Sequence, residues 1–186
     1  MRPAVFLDRD GVLIQNRPDY VKSWSDVEFL FDSLDAMRQL AASSYLVVIV
    51  TNQSVVGRGM ITLARAQSIN QQVIAEVIAR GGRVDASYLC PHTPEDGCPC
   101  RKPAPGMLLQ ATKDLGLDLR RSFMVGDALT DIEAGRAVGV RGLLVRTGRG
   151  ARQAALGGGS LDASDLKVAN LSEAVTQILK PGGGGR

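Results

Sequence analysis

Short β-branched runs alternate with amphipathic segments along almost the whole chain, and no other feature restricts the fold as much. That alternation is the pattern of a parallel sheet covered by helices on both faces. The runs predict strands at Ala4–Leu7, Leu46–Val50, Ala86–Leu89, Phe123–Val125 and Gly142–Val145, with a weaker edge strand at Lys167–Ala169. Apolar positions at three- and four-residue spacing predict helices over Ser33–Ala42, Leu63–Arg80, Gly106–Leu115, Leu129–Val138 and Ser172–Leu179. Thr62 is placed to cap the second of these. The expected class is α/β, in a Rossmann-like arrangement.

With 186 residues, 45% hydrophobic and 22% charged, the chain has enough apolar material for one domain that is stable without disulfides. That domain is expected over residues 1–180, followed by a flexible glycine tail at 181–186, with a second flexible loop at Gly157–Ser160. The longest strongly apolar stretch, Tyr45–Val50, falls far short of the roughly 20 residues that span a bilayer. The first seven residues are too few for a signal-peptide core, so a cytoplasmic protein with no membrane partner is expected. A net charge of +3 suits an anionic small molecule. Without a long Lys/Arg run or a basic patch interleaved with aromatics, no nucleic-acid partner is expected.

In open parallel sheets ligands sit beyond the carboxyl ends of the strands, so the residues that follow each strand are the candidates for chemistry. Ala4–Leu7 runs directly into Asp8-Arg9-Asp10-Gly11. Two carboxylates this close repel, and a bound cation or a raised pKa is needed to keep them together. Mg²⁺, a hard ion that prefers oxygen ligands, fits best. Asp-x-Asp also occurs in ordinary turns, where the side chains bond local backbone N–H groups, so the pair alone does not decide. The second strand leads into Thr51-Asn52-Gln53-Ser54, a hydroxyl and amides at the corresponding edge. Arg101 and Lys102 add fixed positive charge, and Phe123–Val125 leads into Gly126-Asp127 and then Asp131, a further carboxylate source for a metal.

All three cysteines and the only histidine lie between positions 90 and 100. Cys90, His92, Cys98 and Cys100 supply the four ligands of a tetrahedral Cys₃His zinc site, and four protein ligands make such a site structural rather than catalytic. The competing readings are inert thiols or a disulfide; an odd cysteine count in a cytoplasmic chain disfavours the disulfide. Because Arg101 and Lys102 follow the last ligand directly, ordering this loop would also fix those two cations.

Taken in order, Phe6-Leu7-Asp8-Arg9-Asp10-Gly11, Val50-Thr51-Asn52-Gln53-Ser54, Cys100-Arg101-Lys102-Pro103 and Val125-Gly126-Asp127 resemble the haloacid dehalogenase (HAD) superfamily. Within it they look like the D,D-heptose 1,7-bisphosphate phosphatases and the related histidinol-phosphate phosphatases, over roughly residues 4–150. The resemblance implies a minimal cap and a Mg²⁺-dependent phosphomonoesterase in which Asp8 is the nucleophile and Asp10 the general acid and base. It further implies Mg²⁺ held by the Asp8 carboxylate, the Asp10 backbone carbonyl and Asp127, with Thr51, Asn52 and Lys102 gripping the transferring phosphoryl group. Asp131 would either orient a neighbour or begin a helix as a favourable carboxylate.

Gln53-Ser54-Val55-Val56-Gly57-Arg58-Gly59 resembles the substrate loop of the heptose enzymes, with Arg58 directed at a second phosphate, and Arg146-Thr147-Gly148 resembles them too. The implied substrate is D-glycero-D-manno-heptose 1,7-bisphosphate, cleaved at the 7-phosphate; separately, the protein is expected to be a monomer. Two departures keep histidinol phosphate open as the alternative. The insert from His92 to Cys98 is short, as in the histidinol-phosphate enzymes, and Ala128 stands where heptose enzymes often carry lysine. A reading from another class is an idle zinc-stabilised module that binds a phosphorylated ligand, but a binder has no need of both Asp8 and Asp10. The chain has no Gly-x-x-x-x-Gly-Lys-Ser/Thr element, and no cysteine is followed by an arginine at the spacing of cysteine-based phosphatases.

Overall fold

The structure, a computed structural model, describes residues 1–156, 161 and 165–180. The flexible segments expected at 157–160 and 182–185 lie outside the described residues. Six strands, β1 (Ala4–Leu7), β2 (Leu46–Asn52), β3 (Ala86–Cys90), β4 (Phe123–Gly126), β5 (Arg141–Val145) and β6 (Leu166–Val168), form one sheet in the order β3-β2-β1-β4-β5-β6. Every pairing in it is parallel. From β1 the chain first builds outward through β2 and β3, then returns to lay β4 on the other side of β1. That reversal opens a crevice at the carboxyl end of β1, between connections that leave in opposite directions.

The helices are α1 (Ser33–Ala41), α2 (Ser54–Gly57), α3 (Leu63–Ala79), α4 (Gly106–Leu115), α5 (Leu129–Arg136), α6 (Gly150–Leu156) and α7 (Leu171–Leu179). Alternate strand residues serve opposite faces. Val5, Leu7, Val47, Ile49 and Val125 pack with Met37 and Leu40 of α1, Val73 and Val77 of α3, and Val175 and Ile178 of α7. Ala4, Phe6, Val48, Val50 and Met124 pack on the other face with Met107, Leu108 and Ala111 of α4 and Ala134 of α5. Burial on both sides explains why β1 and most of β2 read as continuous apolar runs, with every residue of β1 fully buried.

The α/β class and the parallel sheet agree with the sequence pattern, and most differences lie at element ends. β2 runs two residues beyond the apolar stretch because Thr51 and Asn52 still pair with Leu89 and Cys90 of β3. The Thr62 hydroxyl accepts a hydrogen bond from the Arg65 N–H at 3.1 Å, capping α3 as expected. α7 begins at Leu171, where the Asn170 side chain accepts from the Glu173 N–H. α2 and α6 are not anticipated by the periodicity: one is a single turn and the other opens on a glycine.

The connection between β1 and α1 folds back over the carboxyl edge of the sheet. Ile14 bridges Phe29 in antiparallel fashion, flanked by hydrogen bonds from Leu30 N–H to Leu13 O (3.0 Å) and Gln15 N–H to Glu28 O (2.8 Å). This short flap also carries a 3₁₀ turn at Trp24–Asp26. Among the described residues no helix is long and apolar enough to cross a membrane.

Candidate active site

The carboxyl end of β1 delivers Asp8 into the crevice, and its own N–H still bonds Val125 O of β4 at 2.9 Å, so the nucleophile candidate is held by the sheet itself. Lys102 reaches the same point from the loop before α4. Its Nζ donates to Asp8 Oδ1 (2.8 Å) and Val50 O (2.7 Å) and pairs with Asp131 Oδ1 at 2.6 Å, which engages all three ammonium protons. Lys102 is 2% exposed; burial alone would push it toward neutrality, but Asp131 and Asp8 outweigh that and hold it protonated. Asp131 is pushed up to about 6 by burial, reinforced by Asp8 and Asp127 and opposed by Lys102. Its other oxygen accepts from the Ala128 N–H at 3.0 Å. Both roles considered for Asp131 are therefore filled at once, one oxygen orienting Lys102 and the other closing the first turn of α5.

Asp127, at the end of β4, is fully buried. The Arg149 backbone N–H and guanidinium donate to its two oxygens at 2.8 and 3.0 Å, and Asn16 Nδ2 adds a bond of 3.2 Å. Its pKa is raised by burial and by the nearby Asp8 charge, with Arg149 opposing. Gly11 turns the chain here at φ +89°, and a Cβ at that position would stand 2.2 Å from Asp127 Oδ2. Only glycine can make this turn and leave room for the carboxylate.

Oxygens of Asp8, Asp127 and Asp131 lie within 4.8 Å of one another. Three buried carboxylates with all-oxygen donors fit a hard divalent ion such as Mg²⁺. The Asp10 side chain is not in this cluster. It turns outward instead, where Arg9 donates to both of its oxygens (3.1 and 2.9 Å) and Gln53 Nε2 to Oδ2 (2.7 Å). Gln53 also donates to Thr51 Oγ1 at 2.9 Å. Arg9 is 1% exposed, so Asp10 is held by a buried guanidinium and a braced amide while facing the crevice.

A cavity of about 560 Å³ opens over these groups, lined by Asp8, Asp10, Asn52, Gln53, Ser54 and Lys102 on the sheet side. Its remaining walls come from the β1–α1 flap, from Arg101, and from Arg149 and Arg152 at the start of α6. Five cationic side chains against three carboxylates give the cavity a net attraction for anions. Of the residues singled out from the sequence, Thr51 lies buried beneath the cavity, and Arg58 is exposed past α2 and does not line it. Arg9, Asn16, Arg149 and Arg152 were not anticipated. The only sequence signal for them is proximity to Asp10 or to the Arg146-Thr147-Gly148 turn.

Cys90, His92, Cys98 and Cys100 converge at the far end of β3. Their sulfurs lie 3.1 to 3.6 Å apart, and His92 Nδ1 is 3.3 and 3.6 Å from Cys100 and Cys90. The ligand edges of a tetrahedral zinc site with Zn–S bonds of about 2.3 Å would be about 3.7 Å, close to this packing. Zinc there would have Nδ1 as its nitrogen ligand. No disulfide forms: all three thiols are free. The loop is tied to the cavity, because the Arg101 guanidinium donates to His92 O at 3.0 Å and the Lys102 backbone exchanges hydrogen bonds of 3.0 and 3.2 Å with the Asn52 amide. Purified protein is expected to carry about one zinc per chain, and Cys98→Ser to lower both zinc content and thermal midpoint. Metal analysis of reduced protein that finds no zinc would remove this assignment.

A HAD-hydrolase-like family model matches residues 99–174. A D-glycero-β-D-manno-heptose-1,7-bisphosphate 7-phosphatase from Pseudomonas aeruginosa is 40% identical over 151 residues, covering 81% of this chain and 85% of that protein. The protein of the same name from Escherichia coli K12 is 40% identical over 155 residues, covering 79% and 81%. The crystal structure of the D,D-heptose 1,7-bisphosphate phosphatase from B. bronchiseptica, complexed with magnesium and phosphate, superposes with a TM-score of 0.90 at 36% identity, covering 96% of this chain and 98% of that one. With its strand-end carboxylates, its sheet order and relatives this similar over four-fifths of their length, the chain belongs to the HAD-like hydrolases.

Proposed function

We propose that the protein is a Mg²⁺-dependent phosphomonoesterase that removes the 7-phosphate of D-glycero-D-manno-heptose 1,7-bisphosphate. The observation that carries the reaction class is the buried Asp8, pinned by Lys102 beside Asp127 and Asp131 at the floor of a cation-rich cavity. The substrate follows from the relatives that carry the heptose bisphosphate name. A bound Mg²⁺ would be held by Asp8, Asp127 and the Asp10 carbonyl, with Asp131 alongside, and would neutralise charge that builds on the phosphoryl oxygens.

In this reading Asp8 Oδ1 stays on Lys102 while its other oxygen attacks phosphorus, and the bond from phosphorus to the ester oxygen breaks. Asp10 gives its proton to the departing alkoxide. A water then attacks the phosphorus of the aspartyl-phosphate, Asp10 takes its proton, and Asp8 is released with inorganic phosphate. Arg9 and Gln53 keep the Asp10 carboxyl aimed at that oxygen through both steps. Lys102 and Asn52 steady the transferring group, and Thr51 acts through Gln53. We further take the enzyme to be a cytoplasmic monomer whose partner is this one small sugar phosphate.

Asp10→Asn is expected to slow hydrolysis of an alkyl phosphate by about 10²–10⁴-fold and to affect an aryl phosphate much less, because a phenolate leaves without a proton. Equal losses on both would take the acid role from Asp10. The substrate assignment is tested by kcat/KM for the heptose bisphosphate against histidinol phosphate, with the bisphosphate expected to be the better substrate. The reverse order would identify a histidinol-phosphate phosphatase.

A further inference from the structure

The two oxygens of Asp127 are held in different ways. Oδ2 is wedged between two glycines: a Cβ at Gly11 would stand 2.2 Å from it, and one at Gly148 would stand 2.3 Å from it. The Arg149 backbone N–H donates to Oδ2 at 2.8 Å and Asn16 Nδ2 at 3.2 Å, with Arg149 Nε farther off at 3.4 Å. Oδ1 accepts, among the described residues, from the Arg149 guanidinium at 3.0 Å, and that side chain is 57% exposed. Two close donors fill the lone pairs of Oδ2, whereas Oδ1 keeps one to offer a metal ion.

Asn16 reaches Asp127 from the β1–α1 flap, across 111 residues of sequence. Its neighbours on both sides are pinned to the returning limb of that flap. The Gln15 N–H donates to Glu28 O at 2.8 Å, and Arg17 Nε donates to Asp26 O at 3.1 Å. Nearer to β1, the Gly11 N–H donates to Ile14 O at 2.7 Å, and Thr147 Oγ1 donates to Gly11 O at 2.6 Å. Asn16 is thus braced on either side, and against a buried carboxylate its amide has to present the NH₂ group.

We propose that Asn16 is a positioning residue for Mg²⁺: by donating to Asp127 Oδ2 it fixes that carboxylate so that Oδ1 stays available to the ion. The inference rests on the Mg²⁺-dependent reading above. Groups that hydrogen-bond a metal ligand from behind set metal affinity by about 10–100-fold. The companion bond from the Arg149 N–H belongs to the backbone, so Asn16 is the donor that a side-chain substitution removes. The flap then does more than fold over the sheet edge, because its placement and the affinity for metal are linked through this one hydrogen bond.

The test measures Mg²⁺ binding by isothermal titration calorimetry in native protein, Asn16→Leu and Arg17→Ala. Leucine nearly matches asparagine in shape and lacks the donor; a thermal melt in chelator checks that each variant is folded, and Asn16→Ala gives the same reading should the leucine variant not fold. Asn16→Leu should raise the Mg²⁺ Kd by about 10–100-fold, and turnover lost at low Mg²⁺ should return as Mg²⁺ is raised. Arg17→Ala loosens the same flap by removing the bonds to Asp26 and Glu28, and it should not weaken Mg²⁺ binding. An unchanged Kd in Asn16→Leu overturns the proposal, and so does turnover that added Mg²⁺ fails to restore, which would place Asn16 on the substrate instead. Equal weakening in Asn16→Leu and Arg17→Ala also overturns it, since the effect would then belong to the flap as a whole. Native protein that binds no Mg²⁺ overturns the Mg²⁺-dependent reading itself, and the role of Asn16 with it.

Discussion

Asp8→Asn is expected to leave a folded protein whose turnover is at least about 10³-fold slower than native, a barrier increase near 4 kcal/mol. The amide nearly matches the carboxyl in shape, and its remaining oxygen can still accept from Lys102 Nζ at the position where Asp8 Oδ1 now stands 2.8 Å away. What it cannot do is attack phosphorus, because the amide nitrogen has no free electron pair for the purpose and the carboxylate charge is gone. The fold should tolerate the change, since Lys102 keeps its contacts with Asp131 and Val50 O and the strand bond from residue 8 to Val125 O belongs to the backbone. Steady-state assay beside circular dichroism and a thermal melt separates the two effects. A stable variant that turns over faster than this limit would mean that another group attacks.

Lys102→Met should have the largest effect on stability, about 3–5 kcal/mol, because removing one partner of a buried ion pair leaves charge uncompensated. Asp8, Asp127 and Asp131 would then share one buried space with Arg149 as the adjacent cation. Lys102 lowers the Asp131 pKa, which even so stands near 6, so its loss raises that value further. A carboxyl raised on folding costs stability above its unfolded pKa and regains it as the pH falls through the folded value. The penalty should accordingly be full at pH 8 and shrink on acidification in chelator. Urea midpoints across that range measure it, and a variant as stable as native protein at pH 8 would contradict the assigned role of Lys102.

What the sequence made legible was the set of groups placed by strand ends. Asp8, Asn52 and Asp127 follow apolar runs whose length sets where the strand stops, and the zinc loop is marked by residue types that cluster nowhere else. The groups that escaped notice are those whose function depends on a partner distant in sequence. Arg149 meets Asp127 across 22 residues and Asn16 meets it across 111, and neither sits in a periodic pattern. Arg9 looks like a spacer between two aspartates, yet β1 carries it inward to brace Asp10. α6 was hidden by its brevity and its opening glycine, so its arginines had no visible face to share. Arg58 is the reverse case: its loop matches a motif, but the single turn of α2 leaves it outside the cavity.

The central claim is that the phosphoryl group passes through Asp8. Protein quenched in acid during turnover of the heptose bisphosphate, then digested and analysed by mass spectrometry, should carry one phosphate on the peptide that contains Asp8, and none in Asp8→Asn. Turnover without any protein-bound phosphate, or a phosphate found on a different residue, would contradict the account.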